Sequence, residues 1–230
     1  MDMRTLSVLL CASLCALPAA AHDAVLAKAK GKVTVKAEGT EKFVKVQEGA
    51  VFLYGDTVRV GKNGIAQVTL GDGAAVLVRE ETEFLIGGSA GQTELSFSFG
   101  EFLVGLRRKL SLKQSFRVRT PSAVAAIRGT LFWGKSDKKD KSTTYAGFGG
   151  QVTVEAQGKM AEVNPGKTVT VPFGKPPSDP VPSTVTLDYA GKFMVEGTLQ
   201  GLETLAQDQA PAAVKDPPAK APAKKKRRVK

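Results

Sequence analysis

Between Val25 and Val171, apolar side chains recur at every second position in short runs, and glycine, asparagine or aspartate breaks the runs at roughly eight- to twelve-residue intervals. Residues two apart share one face of a pleated strand, whereas a helix brings residues three and four apart together. The pattern therefore predicts an all-β body with strands buried on one side. Lys32-Val33-Thr34-Val35-Lys36 and Lys42-Phe43-Val44-Lys45-Val46 alternate around a turn at Glu38-Gly39-Thr40-Glu41. Gly61-Lys62-Asn63-Gly64 divides Thr57–Val60 from Ile65–Leu70, and Gly71-Asp72-Gly73 divides that run from Ala74–Val78. Glycine, asparagine and aspartate tolerate the positive φ that tight hairpins require, so both segments read as hairpin turns.

Further along, Leu95, Phe97 and Phe99 oppose Glu94, Ser96 and Ser98, while Phe116, Val118 and Thr120 oppose Arg117 and Arg119. Val152 and Val154 repeat the alternation, and Val163-Asn164-Pro165-Gly166 leads into a closing strand at Lys167–Val171. Strands of this kind pack as two antiparallel sheets or a closed roll, and a core of that size needs no staples.

Both ends differ from this body. Arg4 precedes an apolar run from Leu6 to Leu17, followed by Pro18-Ala19-Ala20-Ala21. A positive start, an apolar stretch short for a membrane span and small residues before His22 are the parts of a secretory signal peptide, with cleavage expected after Ala21. The expected location is periplasmic or secreted. Cys11 and Cys15 both lie inside that run, so the mature chain is expected to carry no disulfide and no thiol chemistry. Leu10 and Leu14 stand where a lipid-modified cysteine needs a small residue, so no lipid anchor is expected.

Residues 210–230 are mostly Ala, Pro and Lys, ending Lys224-Lys225-Lys226-Arg227-Arg228-Val229-Lys230. Such a segment buries too little apolar surface to offset its chain entropy, and disorder is expected there. The chain is +11 overall, and 215–230 alone hold eight basic residues against one acidic. Most of the basic character therefore belongs to the tail. Nucleic acid is an available reading of a basic run, but the export signal directs the chain elsewhere, towards anionic envelope polymers or lipid head groups. The division expected is 1–21 signal peptide, 22–171 β domain, 172–209 Pro-rich linker, whose Pro172–Pro182 part reads as a linker or an extended edge, with a short ambiguous element around Phe193, Leu199, Leu202 and Leu205, and 210–230 tail.

Chemistry-bearing motifs are sparse. Gly129-Thr130-Leu131-Phe132-Trp133-Gly134-Lys135-Ser136 fits the letters of a phosphate-binding loop, yet Leu-Phe-Trp is strand-forming and no helix start follows. The single histidine, His22, stands at the expected new N-terminus, which leaves a Ser/His/acid triad without a fixed base. Imidazole and thiolate metal clusters are excluded by count in a cleaved chain. No cofactor and no enzymatic activity are expected. The enzyme alternative is a carboxylate-based glycan hydrolase using Glu80, Glu81 or Glu83, with Glu81 and Glu83 on one strand face. Arg117 and Arg119, together with Lys224, Lys225, Lys226, Arg227 and Arg228, are the candidate contacts for an anionic partner.

The stretch Phe116-Arg117-Val118-Arg119-Thr120-Pro121-Ser122-Ala123-Val124-Ala125-Ala126-Ile127-Arg128-Gly129-Thr130-Leu131-Phe132 resembles the signature of the FecR domain family, named from a ferric citrate uptake regulator. Gly55-Asp56-Thr57-Val58, Asp72-Gly73, Gly150-Gln151-Val152-Thr153-Val154 and Pro165-Gly166 follow in the family's order, from roughly Ala29 to Val171. The resemblance implies a β-sandwich of jelly-roll character acting as an envelope sensory or interaction domain. In regulator members it is the periplasmic part of an anti-sigma factor. This sequence departs from them in lacking a cytoplasmic N-terminal region and an internal transmembrane helix, so a sigma-holding role is not expected. Thr120, Pro121, Arg128, Gly129 and Thr130 carry the signature, and a structural role is expected for them. In particular, Arg128, with its five donors, is expected to pin the crossover by hydrogen bonding. The function expected is an exported, non-enzymatic module that binds a protein or an anionic envelope polymer, with the basic tail adding electrostatic attachment.

Overall fold

The computed structural model describes residues 24–106, 110–111 and 113–186. Residues 1–21, expected to be a signal peptide, the candidates Phe193 to Leu205, the basic tail with Lys224 to Arg228, and Arg107-Arg108-Lys109 lie outside them. The described chain contains no helix. Its strands are β1 (Ala24–Lys30), β2 (Val33–Lys36), β3 (Val44–Lys45), β4 (Val51–Phe52), β5 (Thr57–Val60), β6 (Ile65–Leu70), β7 (Ala74–Arg79), β8 (Thr82–Ser89) and β9 (Gln92–Leu106). The series continues with β10 (Ser115–Arg119), β11 (Val124–Ile127), β12 (Leu131–Ser136), β13 (Thr143–Gly149), β14 (Val152–Ala156), β15 (Lys159–Val163), β16 (Lys167–Val171) and β17 (Val181–Pro182).

Two sheets form. The first runs β4-β1-β6-β7-β9-β12-β13-β16-β17, with every neighbouring pair antiparallel. The second runs β3-β2-β5-β8-β9-β10-β11-β14-β15. Strand β9 belongs to both: residues 92–99 pair in the second sheet and 100–106 in the first. Between the sheets the alternating apolar positions meet. Phe84 stacks on Phe97 at 5.1 Å, Phe97 on Phe102 at 3.9 Å, and Phe102 meets Phe132 edge-on at 6.2 Å. These rings are essentially without solvent exposure. The all-β sandwich expected from the alternation is the architecture observed.

Several details depart from the sequence reading. The Gly61–Gly64 turn is not a hairpin. β5 pairs with β2 and β8 in the second sheet, whereas β6 pairs with β1 and β7 in the first, so this turn hands the chain between layers. Gly71-Asp72-Gly73 does close a hairpin, β6 to β7. The second sheet is mixed, because β10 runs parallel to the first half of β9, with Ser115 opposite Gln92. The second half of β9 and the return after it serve as the crossover that a parallel pair needs. Phe99 leaves the core face because Glu83 pairs with Phe99 while Phe84 pairs with Phe97, which leaves Ser98 as an extra residue. In the Pro172–Pro182 segment, Val181 and Pro182 pair with Thr168 and Lys167 at the edge of the first sheet, a position where proline's missing donor costs no ladder bond. Gly129–Ser136 runs into β12 and not into a helix, as its strand-forming residues require. Among the described residues, no helix is long and apolar enough to cross a membrane.

The change of sheet within β9 turns on Gly100. Its φ is +114°, and a Cβ there would collide with the backbone and side chain of fully buried Thr82. The Thr82 hydroxyl accepts the Glu101 N–H at 3.1 Å directly beside the kink. Gly158 at the β14–β15 turn also has positive φ, +69°, but open space around it. Gly158→Ala should therefore cost about 1 kcal/mol in urea unfolding, the backbone penalty alone. Gly100→Ala should cost at least about 2 kcal/mol, because collision adds to strain.

Candidate functional site

The four-residue connection from β10 to β11, Thr120-Pro121-Ser122-Ala123, is held from beneath by a buried set of hydroxyls. Alternation on β10 turns Thr120 inward, where it is 5% exposed. Its N–H donates to the Ala123 carbonyl at 2.9 Å, and its hydroxyl oxygen lies 2.9 Å from the Tyr145 hydroxyl. Thr143 donates to Thr120 Oγ1 at 3.0 Å, and Ser122 donates to Thr143 Oγ1 at 2.8 Å. Buried hydroxyls are costly unless paired, and here they pair with one another across the two sheets. Burial pushes the Tyr145 phenol above its ordinary value of 10.0, with the hydrogen bonds from Thr120 and Thr143 pulling the other way.

On the solvent side of the same strands lies an open groove of about 760 Å³. Its rim includes Arg117, Arg119 and Pro121 on one side and Glu155, Gln157 and Met160 on the other, and its floor is Val124, Ala126 and Thr153. The register explains the composition: Arg119 is opposite Val124, Val124 opposite Glu155, and Glu155 opposite Met160, all on one face. Small floor residues between longer rim residues make the trough. Met160 is 71% exposed, far more than a side chain of its hydrophobicity needs to be.

The charges in this trough are balanced. Arg119 grips Glu94 with two bonds, Nε to Oε1 at 3.0 Å and Nη2 to Oε2 at 3.2 Å. That hydrogen bond holds the Glu94 carboxyl below the usual carboxylate range and raises the Arg119 guanidinium. Arg117 sits directly across from Glu94 and its charge helps to hold that carboxyl down, but its guanidinium makes no hydrogen bond or close ion pair among the described residues. Two strands away, the Glu155 carboxylate is likewise uncommitted among them. The trough therefore offers one available cation, one available anion and an apolar rim residue.

Thr120, Pro121, Arg117 and Arg119, singled out separately from the sequence, come together at this groove. The other signature residues do not. Arg128 lies beyond the far end of β11, exposed, with no hydrogen bond or ion pair among the described residues. The hydrogen bonding expected of it is not seen among the described residues, whereas the Thr120 hydroxyl, turned inward, is bonded to Ala123, Tyr145 and Thr143. Gly129 adopts φ +79°, a conformation disfavoured for any residue with a Cβ. Thr130 is buried, and its backbone carbonyl accepts the Leu106 N–H at 3.0 Å. The glutamates of the hydrolase alternative are dispersed. Glu80 accepts the Asn63 N–H at 2.6 Å, Glu81 occupies the β7–β8 turn at φ +52°, and Glu83 on β8 binds Arg59 Nε at 2.7 Å. Glu81 and Glu83 thus do not share a strand face. Among the described residues, no group of three His, Cys, Asp or Glu is placed to hold a metal ion.

Sequence reasoning missed Asp56 and the Ser122–Thr143–Tyr145 partners. Asp56 is 8% exposed and accepts the N–H groups of Leu53 and Glu38 at 3.0 and 3.3 Å, a role for which the Gly55-Asp56 turn signal was available. Nothing local to Thr120 in the sequence points to residues more than twenty positions away.

Thr120→Val, which keeps the shape and removes the hydroxyl, should lower unfolding free energy by about 1–3 kcal/mol. Arg128→Ala should change it by less than about 0.5 kcal/mol; paired urea titrations read both. Tyr145→Phe tests linkage. A phenol raised in the folded state stabilises fully below its unfolded value, and that contribution is lost as pH rises from 10.0 towards the folded value, because the unfolded chain releases its proton first. The native protein should therefore lose stability above pH 10, and Tyr145→Phe should lose less over the same range.

Against known proteins, the family model described as FecR protein matches residues 56–153, from the turn before β5 into β14. The match takes in the Thr120 turn and part of the groove floor. No curated protein matches the chain. Two crystal structures of a candidate anti-sigma factor from Parabacteroides distasonis ATCC 8503 align with it at 20% identity and a TM-score of 0.47. Each alignment covers 54% of this chain and 59% of that one, so the aligned part spans about three fifths of the solved protein. The Thr-Pro turn and the Arg-Gly-Thr block both fall inside the matched segment, so the resemblance to the FecR family read from the sequence is borne out over residues 56–153.

Proposed function

We propose that the protein is an exported, non-enzymatic envelope module whose groove on the second sheet receives a segment of a partner protein. The observation that supports this reading is the balanced character of the trough: Arg117 and Glu155 stand uncommitted on opposite sides of a floor of Val124, Ala126 and Thr153, beside exposed Met160. A polyanion would gain from Arg117 and be repelled by Glu155. A protein segment carrying both charge signs and an apolar residue gains from all three. The basic run Lys224 to Arg228 supplies attachment to anionic envelope polymer, a separate contribution that fades with salt. Periplasmic export after cleavage at Ala21 belongs to the same proposal.

Two measurements test it together. A benzophenone amino acid replacing Ala126 should cross-link one protein in the producing cell's envelope. Arg117→Glu and Glu155→Lys should each weaken binding of that protein about tenfold, equivalent to about 1.4 kcal/mol. Residues 22–230 should sediment with isolated sacculi at low salt, and 22–209 should not. Salt-resistant sedimentation of 22–209 that Arg117→Glu abolishes would overturn the proposal and make a polymer the ligand of the groove.

A further inference from the structure

The outer face of the first sheet, on the opposite side of the molecule from the groove, is apolar where a solvated sheet should be polar. Ala75 and Leu77 on β7, Leu103 on β9, Leu131 and Trp133 on β12 and Ala146 on β13 form a second cluster, separate from the core between the sheets. Leu77 is 1% exposed and Leu103 not at all. For β7 the consequence is a run of five buried residues, Ala74 to Val78, in place of alternation. At the edge of this patch Glu101 is buried too, accepting the Trp133 indole N–H at 2.9 Å, with Arg79 at 3.5 Å.

The chain itself arrives at this face. After β17 pairs with β16, the Ser183 N–H donates to the Gly166 carbonyl at 2.8 Å, and Val185 packs on the cluster. Among the described apolar residues, only Phe148, from β13 itself, and Val185 are packed against it. The patch reaches across β7, β9, β12 and β13 and is buried throughout, more than one phenylalanine and one valine account for. The sequence that follows carries Leu187, Tyr189, Phe193, Met194, Val195, Leu199, Leu202 and Leu205 within a short span, and then changes abruptly to the Ala/Pro/Lys composition of 210–230. Leucine, methionine and aromatic residues stop where the basic tail begins, which gives the length of chain available to cover the patch.

We propose that residues 187–209 dock on the outer face of the first sheet, over Leu77, Leu103, Leu131 and Trp133. The docked segment completes the fold by removing this patch from water, which an isolated soluble chain would otherwise expose as an association surface. It also sets direction. The basic run then leaves from the face opposite Arg117 and Glu155, so attachment through the tail leaves the groove turned outwards and open to its partner. This inference does not depend on what the groove binds.

Trp133 is the only tryptophan in the chain, so its fluorescence reports on the patch alone. In residues 22–230, Leu199→Glu with Leu202→Glu should shift Trp133 emission to the red and raise its quenching by acrylamide, while far-ultraviolet circular dichroism keeps the β signature. In the otherwise unaltered chain, a benzophenone amino acid replacing Leu202 should cross-link within the same chain to peptides holding residues 75–77, 103 or 131–133. That second measurement stands even where the double variant does not fold. Unchanged emission in a folded double variant would overturn the proposal. So would cross-links that form only between two chains, which would make a second copy the occupant, and so would the absence of any cross-link to the patch.

Discussion

Everything in this fold hangs on one strand that serves two sheets. β9 is fifteen residues long, far beyond the usual strand, and it borders β8 and β10 in one layer and β7 and β12 in the other. A strand can change layers only by bending sharply. Gly100 permits the bend by adopting positive φ with Thr82 packed where a side chain would be. The same bend carries Phe97 and Phe102 into contact at 3.9 Å, so the two halves of the core are joined covalently and through ring stacking at the same place. Because β9 leaves the second sheet there, the chain must return to it, and it does so beside the start of β9 as parallel β10.

That return places Arg117 and Arg119 next to Glu94, and it brings the Thr120 turn above Thr143 and Tyr145. The buried contacts that join the sheets and the lining of the groove thus occupy opposite faces of one strand. Inward-pointing Phe116, Val118 and Thr120 bind the sheets together through packing and paired hydroxyls, and outward-pointing Arg117 and Arg119 line the groove. A residue on β10 belongs to one role or the other by parity, with no intermediate position available.

How far the sequence could be read differs from element to element for physical reasons. The limits of β5 and β6 were legible as Thr57–Val60 and Ile65–Leu70, because alternation and glycine are local signals. Their assignment to different sheets was not, since a two-sheet turn and a hairpin turn use the same residues. On β10 the exposure of Arg117 and Arg119 was legible, but the pairing of Arg119 with Glu94 depends on a parallel register between segments more than twenty residues apart. Arg128 offered more donors than any neighbour and turned outward, while Thr120, with one hydroxyl, turned inward and acquired three side-chain and backbone partners. Hydrogen-bonding capacity is visible in a residue's name; burial, which gives that capacity its value, is not.

The sequence by itself determined the all-β class, the limits of strands such as β5 and β6, the inward and outward faces of β10 and the FecR-like signature, because period two, turn chemistry and a local signature all act over a few residues. Only the tertiary structure decided which sheet each strand joins, that β9 joins both, that Thr120 meets Thr143 and Tyr145 beneath the signature turn, and that a groove with Arg117 and Glu155 on its two sides lies over it. These depend on contacts between distant segments, where the fit of side chains in a shared core selects one pairing among many that the local pattern permits equally.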